Sequence, residues 1–101
     1  MVKQSIIKTA KKYLKAARSE MNVKAAYIFG SCAKGNQNDE SDIDIAVVLK
    51  DMKDFFETQL KLMRLRRKID LRIEPHPIAD ADFHVNNPFA KEVIETGILI
   101  H

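Results

Sequence analysis

The sequence predicts an α/β (α+β) fold, a small mixed β-sheet flanked by helices. Two apolar runs of strand length, Val23–Phe29 and Ile43–Leu49, are separated from each other and from the termini by stretches of different character. The stretches before the first run and after the second carry apolar residues at helical spacing, so helices accompany the strands along the chain. Helices laid against a sheet are the natural packing for such a chain. The length of 101 residues suits one domain with a modest core, spanning residues 1–101, and leaves no room for a second.

Each element has its own signal. Residues 5–21 place Ile6, Ile7, Ala10, Leu14 and Ala17 on one side of a helix, with lysines on the other. Val23–Phe29 is short, continuous and apolar, as a buried strand is. Residues 30–41 read as a loop that opens with one helical turn, and Ile43–Leu49 as a second buried strand. Asp51 is an N-cap candidate for a helix over residues 53–68, in which Phe56, Leu60, Met63 and Arg67 repeat on one face. Phe55, Phe56, Leu60 and Met63 are expected to pack into the core. Residues 69–74 then alternate, with Ile69, Leu71 and Ile73 on one face and Asp70, Arg72 and Glu74 on the other. Pro75 and Pro77 end that strand or keep it at a sheet edge. Asn87-Pro88 starts a last helix, Gly97 caps its end, and residues 98–100 add a short terminal strand.

Composition narrows the class. A hydrophobic fraction of 46% with 31% charged residues is that of an ordinary globular domain. Apolar runs such as residues 45–49 are too short to span a bilayer, and the N-terminal residues lack the apolar stretch of a signal peptide. The single cysteine, Cys32, forms no internal disulfide framework and fits a reducing cytoplasm. A net charge of +3 suits an anionic substrate or an acidic partner without demanding nucleic acid. The cluster Arg64, Arg66, Arg67 and Lys68 reads as a solvated helix face, so direct nucleic-acid binding is not expected.

The chemistry concentrates at one place. Gly30-Ser31 ends the first strand, and Ser41-Asp42-Ile43-Asp44 opens the second. Side chains two apart on a strand share a face, so Asp42 and Asp44 point the same way, about 6–7 Å apart along the backbone. Two carboxylates lined up opposite buried isoleucines suit a hard divalent cation such as Mg²⁺, which takes carboxylate and phosphate oxygens. A third acid from a neighbouring strand would let two ions share bridging oxygens, about 3.5–4 Å apart. Asp70 is the candidate, as a metal ligand and as the base that accepts a hydroxyl proton. A strand that stops at glycine lets backbone N–H groups approach phosphate oxygens, and Ser31 adds a hydroxyl. Lys34 and Arg72 are further sources of positive charge for the phosphates.

Other motifs fail on inspection. Gly30 and Gly35 have P-loop spacing, but Asn36-Gln37 stand where Lys-Ser/Thr is needed. A dinucleotide fingerprint lacks its G-x-G pair. An EF-hand lacks its glycine, since Ala46 and Val47 continue a strand. Cys32, His76, His84 and His101 have no zinc spacing. The bland alternatives are a solvated strand end for Asp42 and Asp44, a tight turn for Gly30-Ser31, and an ion pair with Arg72 or a nearby lysine for Asp70.

Gly30-Ser31-x-x-x-Gly35 followed by Ser41-Asp42-Ile43-Asp44-Ile45-Ala46-Val47 resembles the signature of minimal nucleotidyltransferases (MNT) of the DNA polymerase beta superfamily. The tail from Asn87-Pro88-Phe89 to Gly97-Ile98-Leu99-Ile100 resembles their usual ending. The resemblance implies a polymerase-beta-like fold and Mg²⁺-assisted transfer of a nucleoside monophosphate from a triphosphate, with ATP as substrate, to a hydroxyl. It implies that Gly30 and Ser31 bind the triphosphate, that Asp42 and Asp44 hold metal, and that Asp70 is the third carboxylate. Short chains of this kind resemble the antitoxin half of HEPN–MNT toxin–antitoxin pairs. There the MNT protein is similar to an enzyme that transfers AMP to a tyrosine of the HEPN ribonuclease toxin. The implied partners are therefore ATP and a helical HEPN-type toxin, with homo- or hetero-oligomers compatible. Cys32 and Lys34 depart from the arginine-rich pattern of that loop. The alternatives are an antitoxin that neutralises its partner by occlusion alone, and a nucleotide sensor whose basic helix binds RNA.

Overall fold

In the computed structural model, residues 2–35 and 41–101 are described; residues 36–40, part of the expected loop, lie outside them. Among the described residues the strands form one four-stranded sheet in the order β3-β2-β1-β4. The strands are β1 (Val23–Phe29), β2 (Ile43–Leu49), β3 (Ile73–Ala79) and β4 (Ile98–Leu99). The helices are α1 (Gln4–Glu20), the single turn α2 (Ser31–Lys34), α3 (Phe55–Arg66) and α4 (Pro88–Thr96). β1 pairs antiparallel with β2 and β4, whereas β2 and β3 run parallel, which gives the mixed sheet the sequence predicts. A parallel pair requires a crossover, and α3 supplies it.

β2 is the central strand, and apart from Asp44 every residue in it is buried. Its two faces feed different layers. Ile43, Ile45, Val47 and Leu49 join a core with Ile6, Ala10, Tyr13 and Leu14 of α1 and Leu62 and Leu65 of α3. Ala46 and Val48 face the other way, against Ala90 and Val93 of α4. Burial on both faces explains why the strand reads as a continuous apolar run.

Helix α3 departs from the sequence expectation at its start and on its buried face. Asp54 caps it, accepting the Glu57 N–H at 3.1 Å, while Asp51 instead accepts from the Asn22 amide at 3.0 Å. The Phe55, Phe56 and Leu60 side chains expected in the core are exposed at 58%, 69% and 41%; Leu62 and Leu65 are buried in their place. Both stripes obey the helical period, and only the seat of α3 on the sheet chooses between them.

The third strand also differs. Residues 69–72 form a turn, with the Asp70 N–H donating to Arg66 O at 2.8 Å and the Ile73 N–H to Asp70 O at 3.2 Å. The strand begins at Ile73 and runs through both prolines to Ala79. It tolerates them because of its register. Ile43 pairs with Ile73, and the Ile43 N–H donates to Arg72 O at 2.8 Å. In a parallel ladder the even-numbered residues of β3 therefore bond β2, and the odd-numbered ones face the open edge. Pro75 and Pro77 occupy edge positions, where a missing N–H costs nothing and new strands cannot dock.

The last helix behaves as expected. The Asn87 side chain accepts from Phe89 and Ala90 N–H at 3.0 and 3.1 Å, and Pro88 occupies the first turn. A Cβ on Gly97 would lie 2.5 Å from Val93 O, so only glycine lets the chain turn there into β4.

Candidate active site

The expected glycine turn forms where β1 ends. Gly30 has φ 71° and ψ −149°, a conformation open to glycine alone, and it turns the chain into the one-turn helix α2. Gly35 closes that helix in the left-handed conformation at φ 77°, its N–H shared between Ser31 O and Cys32 O. A Cβ added to Gly30 would stand 2.7 Å from Asp44 Oδ2. The glycine therefore serves twice, making the turn and letting the carboxylate sit against the backbone.

Cys32 fixes α2 to the acidic segment. Its thiol is fully buried and donates to Asp42 O at 3.1 Å. Burial pushes the thiol pKa up, and the nearby Asp44 and Asp42 carboxylates push it further. A loop thiol that looks incidental in the sequence is thus a strut between turn and strand.

Asp42, just before β2, is exposed and Asp44 is half-buried, while Ile43 between them is fully buried. Asp44 pairs across the sheet with Phe29 of β1 and Glu74 of β3. Its Oδ1 lies 3.1 Å from His76 Nε2, a hydrogen bond that the ring donates. The imidazole is held edge-on by Phe29, with centroids 5.0 Å apart, and leans on Phe89 at 5.9 Å. Glu74 and His76 stand on the Asp44 side of β3; the sequence reading sets His76 aside because Pro75 breaks the alternation. Their signal is the even parity of β3, visible only once the strand is known to continue through Pro75.

Asp70 does not join this group. It sits in the turn before β3, gripped by Arg72 through Nη2–Oδ2 at 2.7 Å and Nε–Oδ1 at 3.0 Å, with the Arg72 N–H on Oδ1 at 2.9 Å. Those bonds hold its carboxyl below the usual carboxylate range. The expectation of three acids converging from two strands therefore fails for Asp70, because the turn hands its charge to Arg72. Among the described residues, no three His, Cys, Asp or Glu side chains are grouped to hold a metal ion. What the structure brings together is Asp44, the Gly30 backbone and His76, with Glu74 paired to Asp44 on the neighbouring strand and Cys32 tying α2 to the Asp42 carbonyl.

A sequence-family model covers nearly the whole chain. Residues 5–101 match the model described as polymerase beta, nucleotidyltransferase. The chain belongs to this nucleotidyltransferase family. Two Methanocaldococcus jannaschii proteins named as protein adenylyltransferases are 33% and 30% identical to it over 90 and 91 residues. Each alignment covers 88% of this chain and 87% of the relative. Among solved structures, a Sulfolobus solfataricus protein described as a nucleotidyltransferase superposes with a TM-score of 0.67 at 26% identity, over 94% of this chain and 78% of that one. A toxin–antitoxin structure with AMP-PNP superposes with a TM-score of 0.70 over 92% of this chain and 72% of its own. At 24% identity that likeness is one of fold.

The donor set of the nucleotidyltransferase site suits Mg²⁺. It offers two carboxylates two positions apart at a strand end, Asp42 exposed to solvent and Asp44 half-buried. Oxygen ligands of this type, leaving positions for phosphate oxygens, are what Mg²⁺ takes.

Proposed function

We propose that this nucleotidyltransferase moves AMP from ATP to a protein hydroxyl in an Mg²⁺-dependent reaction, and that it acts as an antitoxin by modifying a tyrosine of a HEPN-type toxin. The observation that carries the reading is the apposition of Asp42 and Asp44 to the Gly30 turn. The names of the archaeal relatives and the toxin–antitoxin fold neighbours support the choice of adenylyl transfer and of partner. The lone buried cysteine supports a reducing, cytoplasmic setting.

Each residue has a defined task in this reading. Backbone N–H groups after Gly30 and the Ser31 hydroxyl cradle the phosphate tail. Asp42 and Asp44 hold the ion, and Glu74, set beside Asp44 by the strand pairing, offers a further carboxylate. When bound, Mg²⁺ would draw charge from the phosphoryl oxygens and lower the pKa of the attacking hydroxyl. His76 fixes the rotamer of Asp44 through Nε2.

The test is transfer of label from α-labelled ATP to the protein encoded beside it. Asp42→Asn and Asp44→Asn should each lower the rate on the order of a hundredfold or more, since several kcal/mol of charge stabilisation disappear. Glu74→Gln should fall well below Asp70→Asn. No label in the wild-type reaction, or unchanged label in Asp42→Asn, refutes the proposal. Neutralisation by occlusion alone is the second reading, favoured by the exposed Phe56 and Leu60 on α3. An Asp44→Asn protein that neutralises its toxin at full strength would establish it.

A further inference from the structure

Helices α1 and α3 pack on the face of the sheet that Ile43, Ile45 and Val47 present, while Asp44 alternates to the other face with Ala46 and Val48. Those two helices gather most of the positive charge. Ten of the 17 Lys and Arg residues, but two of the 14 acids, fall in residues 4–20 and 55–68. Their net charge is +8 in a chain whose total is +3, so the remainder stands at −5. We infer that this two-helix face binds the phosphate backbone of single-stranded RNA.

Each helix turns its cations outward. At about 100° per residue, Lys8, Lys11, Lys12, Lys15 and Arg18 of α1 fall within an arc of about 120°, and all five are exposed. The one acid of α1, Glu20, lies outside that arc, in a shallow cleft of about 240 Å³ where α1 meets α3. Lys61, Arg64 and Lys68 of α3 border the same cleft, and Arg67 is exposed beside them. The Tyr13 hydroxyl on Leu62 O holds the two sets of charge in a fixed relation. Among the described residues, none of these nine cations is paired with a carboxylate. Like charges four apart, as in Lys8–Lys12 and Lys11–Lys15, strain a helix, and a polyanion laid across them relieves that strain.

The make-up of the face selects the polyanion. Six of the nine cations are lysines, which protein–protein interfaces deplete and phosphate contacts use. A membrane surface would need an apolar stripe to sink into the lipid, but Ile6, Tyr13 and Leu14, the apolar side of α1, are buried in the core. On the solvent side of α3 the basic residues run into Leu60 and Phe56, both exposed and one turn apart. A positive track that ends on an exposed aromatic ring suits unpaired nucleotides, with phosphates on the cations and a base against the ring. A duplex keeps its bases stacked and cannot use the ring, whereas RNA presents unpaired bases in its loops and ends. In the sequence the α3 cluster stands alone and reads as a solvated helix face. The fold adds the five cations of α1 to it.

Fluorescence anisotropy of the intact chain with a labelled, unstructured RNA of about twelve nucleotides is the test. Binding should be micromolar at about 50 mM salt and weaken roughly a hundredfold by about 200 mM, as release of about five counterions gives. The pair Lys11→Glu and Lys15→Glu on α1, and the pair Arg64→Glu and Lys68→Glu on α3, should each weaken it about tenfold or more. Phe56→Ala should weaken it severalfold. All five residues are exposed, so the variants should keep their fold, which thermal unfolding checks. Asp44→Asn should bind RNA as wild type does, whether or not it transfers nucleotide, because Asp44 lies across the sheet. Loss of RNA binding in Asp44→Asn would move the RNA to the acidic site and overturn the inference. An effect from one helix pair alone, or equal binding by Phe56→Ala, overturns it as well. So does competition by a DNA duplex, polyglutamate or phosphatidylserine vesicles as strong as that of unlabelled RNA at equal charge.

Discussion

Asp44 is the most constrained side chain of the site, because three elements meet on it. The Gly30 backbone crowds Oδ2, His76 holds Oδ1, and Ile43 and Ile45 on either side are buried in the core. Asp70 is the contrasting case, an acid committed to Arg72. Its depressed pKa means the pair stabilises the fold above the ordinary carboxylate range and loses that contribution as pH falls through the folded pKa. Asp70→Asn should therefore be less stable than wild type at neutral pH and converge with it below about pH 4, as urea titrations across that range would read. Cys32 makes the opposite demand. With its thiol buried, bonded to Asp42 O and its pKa raised, it should stay unreactive toward a thiol reagent at pH 8 until denaturant opens the fold. Fast labelling of the native protein would contradict the strut role.

At the level of elements, most of the architecture was legible because local chemistry and tertiary placement agree. The Asn87-Pro88 start of α4 is such a case, since one side-chain oxygen satisfies two helix N–H groups. Asn87→Ala should cost about 1 kcal/mol in thermal unfolding. It should leave nucleotide binding intact, because the cap lies away from the acidic pair. The turn at Gly30 was legible for a related reason: glycine is required there by backbone conformation alone. β3 was misread at both ends. The alternation over residues 69–74 is real, but its first residues are spent on the Asp70–Arg72 turn. The prolines that seemed to end the strand sit at edge positions that need no donor. Helix α3 was misread by face, because a helical period names stripes without saying which one meets the sheet.

For the molecule as a whole, a buried polar contact ties α1 to α3 on one face of the sheet. The Tyr13 hydroxyl of α1 donates to Leu62 O of α3 at 2.7 Å within the core. Burial raises its pKa above the ordinary value, so its contribution is complete below about pH 10 and is lost as pH rises. Tyr13→Phe should lower stability by about 1 kcal/mol near neutrality, a drop of several degrees in Tm for a domain this size. The variant should also lose less stability than wild type above pH 10. Among the described residues, no helix is long and apolar enough to cross a membrane. The sequence by itself determined the α/β class and the glycine turn, since each rests on residues within a few positions of one another. Only the tertiary structure decided which acid stands beside Asp44, which face of α3 is buried, and that His76 meets Asp44. Those outcomes depend on the parallel register between β2 and β3, which joins residues some thirty positions apart. Local spacing carries no information about that register.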